Sequence, residues 1–327
     1  MKFTKYYDLQ LFANMNTQTT LLNNTAGNND LSDEMKVYYS DYLIDNAVPK
    51  LVHDQFGQKH PIPKNGGKTI EFRKFSPLPK LTTPLTEGVT PDGQSLNVTT
   101  VEATVAQYGG YVTISDMLQL TAIDNTMVQA TKLLGNQAGA SLDTITREVL
   151  NGGTNVVYAG GVASRSALTA DNKLTVDDIK KAVRALKNQN AEKIGDSFVA
   201  IIHPDVTYDL TNDPAWQAVR TYCDPQDWYE GEIGKIAGVR FVETTEAKIF
   251  EGGVYSTLIL GDNAYGVTEI EGGGLEHIVK QLGSAGTSDA LNQRATCGWK
   301  ATKVAERLVE QFMVRIESKC TFSSAAN

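Results

Sequence analysis

The chain has 327 residues, slightly beyond the length at which one hydrophobic core stops growing and chains divide into lobes. Apolar residues make up 41% and charged residues 21%, an ordinary globular usage that excludes wholesale disorder and the collagen-like, coiled-coil and disulfide-scaffold classes. With 30 Lys and Arg against 38 Asp and Glu the formal charge is −8, which excludes a dedicated DNA-binding domain, because such a domain needs a basic surface to displace counterions from phosphates.

The first 30 residues read as an arm. Asn14 to Asn29 is dominated by Asn and Thr, which favour turns and local backbone contacts over packing. Leu9, Leu11 and Phe12 form a small apolar cluster within it, an anchor for a surface of this chain or of a neighbour. Met1 to Phe12 carries Lys2, Lys5 and Asp8 without an apolar core, so no secretory signal is expected. Ser32 caps a helix whose Asp33 and Glu34 suit its positive end, with Met35, Tyr39, Tyr42 and Leu43 on one face. Pro49 interrupts the segment and Gly57 ends it.

Residues 59–114 differ in kind. Seven of the 10 prolines lie between Pro49 and Pro91, and proline is confined to edges, turns and extended stretches of a sheet. Ile70 and Phe72 alternate with Glu71 and Arg73, and Val101, Ala103 and Val105 alternate with Glu102 and Thr104, so two strands flank an irregular proline-rich tip. A lone two-stranded ribbon is marginal in water, and one this long is expected to lie on something else.

A long helix follows. Asp124 caps a run in which Met127, Ala130, Leu134, Ala138, Leu142, Ile145 and Val149 recur at steps of three and four, and Asn151, Gly152 and Gly153 stop it. Gly135 and Gly139 within it each cost about 1 kcal/mol against alanine, and close approach of another backbone is the expected compensation. Thr175 and Asp178 approximate a capping box for a second helix to about Leu186. From Phe198 strands alternate with turns: Phe198–Ile202, fully apolar and therefore central, then Val239–Val242, Thr257–Leu260, Val267–Ile270, His277–Leu282, Gln293–Lys300 and Glu306–Ile316. The class is α+β.

The motifs with chemical meaning mostly reduce to structural ones. Asn65-Gly66-Gly67-Lys68-Thr69 ends like a phosphate-binding loop, but Ile62 stands where the leading glycine belongs, and the loop opens a strand rather than a helix; a turn into a hairpin is expected. His53, His60, His203 and His277 are scattered, without metal-ligand spacing, and His203 before Pro204 and Asp205 suits a turn or cap. Cys223, Cys297 and Cys320 are widely spaced, odd in number and lack a CxxC pair, the pattern of reduced, mostly buried thiols. No Gly-x-Ser-x-Gly elbow is present, and no window approaches the roughly 18 apolar residues of a membrane span. The glycine run 272–274 reads as a turn. No catalytic residue, metal or cofactor is expected.

Charge is unevenly distributed. Lys59, Lys64, Lys68, Arg73, Lys74 and Lys80 oppose only Glu71 across residues 59–80, so this stretch is strongly basic and the remainder strongly acidic. It is either a solvated face or a basic arm that docks on an acidic surface of another copy. Trp216, Trp228 and Tyr229 lie among Pro214, Pro225 and Gly231, as interface anchors or as a lid over the core.

The order of these parts resembles the major capsid proteins of tailed bacteriophages over essentially the whole length. Leu9-Gln10-Leu11-Phe12-Ala13 is similar to that family's opening peptide. Pro63 to Thr69 followed by Glu71-Phe72-Arg73 is similar to its extended-loop strand, and Thr83 to Pro91 to the loop tip. Gln107-Tyr108-Gly109 leading to Ser115-Asp116 closes that loop, and Asp289 to Lys300 resembles its C-terminal signature. The resemblance implies the α+β Hong Kong 97-type capsid fold: an N-terminal arm and helix over 1–58, an extended β-hairpin loop over 59–115, a peripheral domain over 116–190 with a spine helix at 124–150, an axial domain over 191–270, and a second peripheral part with C-terminal strands over 271–327. It implies a structural protein whose copies form hexamers and pentamers of an icosahedral head around double-stranded DNA, bound without sequence specificity. Leu11, Phe12, Lys64, Lys68, Arg73, Lys74, Lys80, Trp216 and Trp228 would then contact other copies. Portal and scaffolding or decoration proteins are the further partners implied, with no membrane; the protein would assemble in the bacterial cytoplasm and reside in the virion. Some relatives cross-link a loop lysine to a neighbour's asparagine; Lys64, Lys68 and Lys74 are available, but no activating carboxylate is identifiable, so no cross-link is expected. A nanocompartment shell of the same fold, resembling an encapsulin, is the alternative.

Overall fold

The computed structural model describes residues 52–75, 78–88, 90, 92–122, 126–221, 234–271, 274–284 and 289–327. In chain order these build β1 (Gln58–Lys59), β2 (Thr69–Phe75), β3 (Val98–Thr104), β4 (Ala106–Ser115), α1 (Asp116–Thr121), α2 (Thr126–Asn151), β5 (Val156–Tyr158), α3 (Val176–Asn188), β6 (Phe198–Ile202), α4 (Pro204–Thr211), α5 (Pro214–Thr221), β7 (Lys235–Ile236), β8 (Val239–Glu243), β9 (Ile249–Phe250), β10 (Val254–Leu260), β11 (Tyr265–Thr268), β12 (Glu276–Lys280), β13 (Arg294–Arg307) and β14 (Met313–Ser318).

The strands form two layers and a ribbon. A five-stranded sheet runs β1-β11-β13-β12, with β4 also paired to β13 from Lys303↔Ala106 to Arg294↔Ser115. The expected apolar stripe of α2 packs here: Leu134, Ala138 and Leu142 meet Cys297, Trp299 and Ala301 on alternate positions of β13. A seven-stranded sheet runs β5-β14-β10-β6-β8-β7, with β9 beside β10. Its central β6 is buried at all five positions, as its unbroken apolar run requires. Phe198, Ala200 and Ile202 face Ile179, Val183 and Leu186 of α3, Val206 and Leu210 of α4, and Trp216. Ile201 faces the other way, with Leu258 and Leu260 of β10 and Leu150 at the end of α2. The Thr175 hydroxyl accepts the Asp178 N–H at 3.3 Å, the N-cap expected for α3, and donates to the Asp178 carboxylate at 2.8 Å in place of the backbone bond of a full capping box.

Several expectations change. The strand expected over 306–316 is broken: β13 continues to Arg307, a 3₁₀ turn follows at Glu310–Phe312, and β14 starts at Met313. The N–H groups of Leu308 and Val309 both turn onto the Ala264 carbonyl, which ends one ladder before the next sheet begins. α4 and α5 replace expected turns; each spans eight residues, too few for a periodic signal, though His203 caps α4 and Pro204 follows at its first position. α3 and β14 join the seven-stranded sheet while β11 joins the other. Gly135 faces open space, so no backbone approaches it among the described residues. The N-terminal helix from Ser32, the Asp124 cap and Cys223 lie outside the described residues.

Candidate inter-subunit surface

β2 and β3 form the expected ribbon, paired from Thr69↔Thr104 to Phe75↔Val98. Direct pairing puts Ile70 with Ala103 and Phe72 with Val101 on one face. That face anchors the ribbon's root. The Phe72 ring meets His60 edge-on at 5.9 Å, and a methyl group at Gly266 of β11 would stand 3.1 Å from it, so the ring lies close against the β11 backbone there. The turn before β2 holds Asn65 at φ 70° and Gly67 at φ 93°, with the Gly66 N–H on Pro63 O at 2.8 Å. It is a hairpin entry, as its opening of a strand required.

Beyond the root the projection loses its cover. Leu78, Leu81, Leu85 and Leu96 are 52%, 82%, 76% and 65% exposed, an apolar tip left uncovered among the described residues. Four large apolar side chains exposed within one short stretch make it a candidate interaction site. These leucines were not among the residues singled out from sequence. Their signal was available: large apolar residues without helical or alternating periodicity inside a proline-rich stretch.

The basic residues Lys59, Lys64, Lys68, Arg73, Lys74 and Lys80 are all exposed. They do not form one stripe. Strand alternation puts Arg73 beside Glu71 and Lys74 on the Ile70–Phe72 side, while Lys64 and Lys68 sit before β2. The Arg73–Glu71 pair, 3.3 Å apart with both groups open to water, contributes little.

Trp216 is corrected. It is 1% exposed on α5, packed edge-on against Phe241 at 6.0 Å, so it belongs to the core and cannot anchor a neighbour without unfolding. Leu11, Phe12 and Trp228 lie outside the described residues.

A second exposed apolar area surrounds the end of β4. No residue of α1 is buried; Met117 and Leu120 are open to solvent, as are Tyr111, Val112 and Leu291.

The segment leading from the arm is firmly rooted. The buried His53 faces Asp143 of α2, and the next residue, Asp54, accepts from Thr146 of α2 and Lys303 of β13. The Tyr265 hydroxyl donates to the His53 carbonyl, and burial pushes that phenol's pKa upward. The seven-stranded sheet has its own buried cluster: Glu317, fully buried, takes Arg165 through two bonds of 2.6 Å and Arg315 at 2.9 Å.

Neither cysteine described is placed for catalysis. Cys297 lies under α2, 3.1 Å from His277 Nε2 and 3.4 Å from the Thr131 hydroxyl, closed to any substrate. Burial pushes the Cys320 thiol up to about 12, which keeps it protonated. Among the described residues no three His, Cys, Asp or Glu side chains group as metal ligands, and no helix is long and apolar enough to cross a membrane.

The sequence model of a family described as phage capsid protein matches residues 98–303. No curated protein matches the chain. Among solved structures, the capsid of cyanophage P-SCSP1u is similar at 14% identity and a TM-score of 0.68, covering 94% of this chain and 100% of that one. The capsid of Ralstonia phage GP4 aligns at 14% identity and 0.67, covering 89% and 96%. An encapsulin complex from Synechococcus elongatus aligns at 9% identity and 0.57, covering 91% and 98%. These likenesses show the fold, the Hong Kong 97-type capsid architecture of mixed helix and sheet.

Proposed function

Because the chain belongs to the phage capsid protein family, we propose that it is the major capsid protein whose copies form hexamers and pentamers and close an icosahedral head around double-stranded DNA. The supporting observation is the β2–β3 ribbon, rooted on β11 and ending in four leucines that are exposed among the described residues. A shell needs one subunit to make several non-equivalent contacts. A projection that bends at its prolines while its root stays fixed supplies them, and modest contacts add up once copies share a lattice.

In this reading the basic residues Lys64, Lys68, Arg73, Lys74 and Lys80 meet acidic surface on a neighbour, which sets encounter and register more than affinity. Leu11, Phe12 and Trp228 serve as further contacts. DNA is retained by confinement, without sequence-specific binding, and the acidic balance of the chain limits sticking during packaging. Portal and scaffolding or decoration proteins are the other partners. Assembly takes place in the bacterial cytoplasm and the product is the virion capsid. The role is structural, not catalytic.

Negative-stain microscopy of the expressed protein tests this: closed shells or tubes of regular curvature are the expected result, and a monodisperse monomer at every concentration and salt overturns it. The likeness to an encapsulin supports one second reading, a nanocompartment shell. Purified particles carrying a co-purified enzyme and no DNA would decide for it.

A further inference from the structure

β4 leaves one edge bare. Along Ala106–Ser115 it pairs with β13 alone among the described residues, so alternate N–H and C=O groups on its outer side meet no described strand. Edge strands are normally guarded by charges, prolines or a covering element. From Ala106 to Ser115 there is no charge and no proline, whereas the outer strand across the sheet, β12, carries Glu276, His277 and Lys280. The unguarded edge runs into the exposed apolar area of Val112, Met117, Leu120 and Leu291. An edge of this kind is a liability in a free subunit and an asset where copies are to be joined.

One segment of the chain has the matching length and pattern. Residues 3–12 equal β4 in length, and in extended conformation Tyr7, Leu9 and Leu11 share one face with Phe3 and Lys5, alternating with Asp8 and Gln10 on the face that also carries Thr4, Tyr6 and Phe12. Residues 13–51 lie between this segment and the rooted His53; with the helix expected from Ser32 to Pro49 at ~1.5 Å per residue and the rest extended at ~3.3 Å they reach about 100 Å, enough to cross to a neighbouring copy.

We propose that residues 3–12 of one copy add as a strand to the bare edge of β4 on another copy, with Leu9 and Leu11 beside the exposed Val112, Met117 and Leu120. The proposal rests on the shell reading above and names the receiving surface and the mode of contact. Main-chain hydrogen bonds supply the affinity, as in other strand additions, and the alternation of apolar residues fixes the register.

Hydrogen exchange read by mass spectrometry tests it, on the peptide spanning residues 106–115 in free subunits and in assembled shells. The expected result is exchange slowed at least ~10-fold in shells, as for amides newly bonded in a ladder, and restored to the free-subunit rate in shells lacking residues 2–12. Should that deletion prevent assembly, a synthetic peptide of residues 2–13 added to the deleted subunit is expected to slow exchange over 106–115, and a scrambled peptide is not. Equal exchange in shells and free subunits overturns the proposal, as does protection that survives the deletion in shells or a peptide without effect. Arm-dependent protection already complete in free monomers also overturns it, since the arm would then lie on its own β4. If the full-length protein forms no particles, the shell reading fails, and the peptide experiment still decides the edge.

Discussion

His53 Nδ1 lies 2.6 Å from Asp143 Oδ2, while the backbone N–H of His53 donates to the other oxygen of the same carboxylate at 2.8 Å. Both side chains are 1% exposed. One carboxylate on α2 therefore holds the chain just where the N-terminal segment begins, and its neighbour Asp54 repeats the arrangement with Thr146 and Lys303.

Breaking that contact strands a buried polar group. Asp143→Ala is expected to lower stability by about 1–3 kcal/mol, the usual cost of leaving a buried donor without its partner. Asp143→Asn, which keeps an acceptor for the backbone N–H, is expected to cost less. Thermal or urea unfolding of the subunit reads both, and equal, negligible losses would show that the contact is incidental.

The ribbon tip is expected to matter for assembly and not for folding. Leu81→Ser with Leu85→Ser should change subunit stability by no more than about 0.5 kcal/mol, as for exposed positions generally. The same variant should form few or no particles by sedimentation and microscopy. Replacing residues 78–96 by a short turn should do the same while sparing β4, whose pairing to β13 begins at Ala106. Normal particles from either variant would remove the tip from the assembly surface.

Trp216→Ala is expected to behave in the opposite way. The indole is enclosed by the α3–α5 face of the seven-stranded sheet, so its loss should cost about 3–5 kcal/mol of subunit stability. At a temperature where the variant remains folded, particle yield should match that of the wild type. A stable variant that fails to assemble would return Trp216 to the interface.

Acid should weaken the subunit through His203. Burial lowers the pKa of this imidazole from 6.5 more than the facing carboxylates of Asp205 and Glu243 raise it. Its Nδ1 accepts the Asp205 N–H at 3.1 Å as the cap of α4, a role open only to the unprotonated nitrogen. A group whose folded pKa is lowered and whose neutral form is native contributes stability above pH 6.5, and loses it as pH falls below that value. Unfolding free energy measured from pH 7.5 to 5 should fall, and His203→Asn, which keeps a capping acceptor, should flatten the curve. An unchanged slope in the variant would assign the acid sensitivity to other groups.

The elements legible in the sequence were those whose pattern is local. Ile70, Phe72, Val101 and Ala103 alternate and pair as expected; the α2 stripe and the Thr175 cap follow the same logic. What escaped depends on partners far along the chain. Leu308 and Val309 look like a continuing strand until the Ala264 carbonyl takes both their N–H groups. Trp216 sits among turn-forming prolines, and only the packing of α5 onto β6 and β8 makes it core. For the candidate surface, the basic residues of the ribbon were visible as composition. The leucines of its tip became meaningful once no described residue was found to cover them.

The placement of β14 has a consequence for synthesis. This strand lies between β5 and β10, paired to β10 over 313–318 and to β5 over 315–317, so the central sheet has a gap until the ribosome has passed residue 318. Long-range closure of this kind is slow and comes late. The ribbon and the bare edge of β4 emerge earlier but have no finished body to hold them. A ribosome-stalled chain ending before Met313 should accordingly remain protease-sensitive and unassembled, whereas one with residue 318 clear of the exit tunnel should resist.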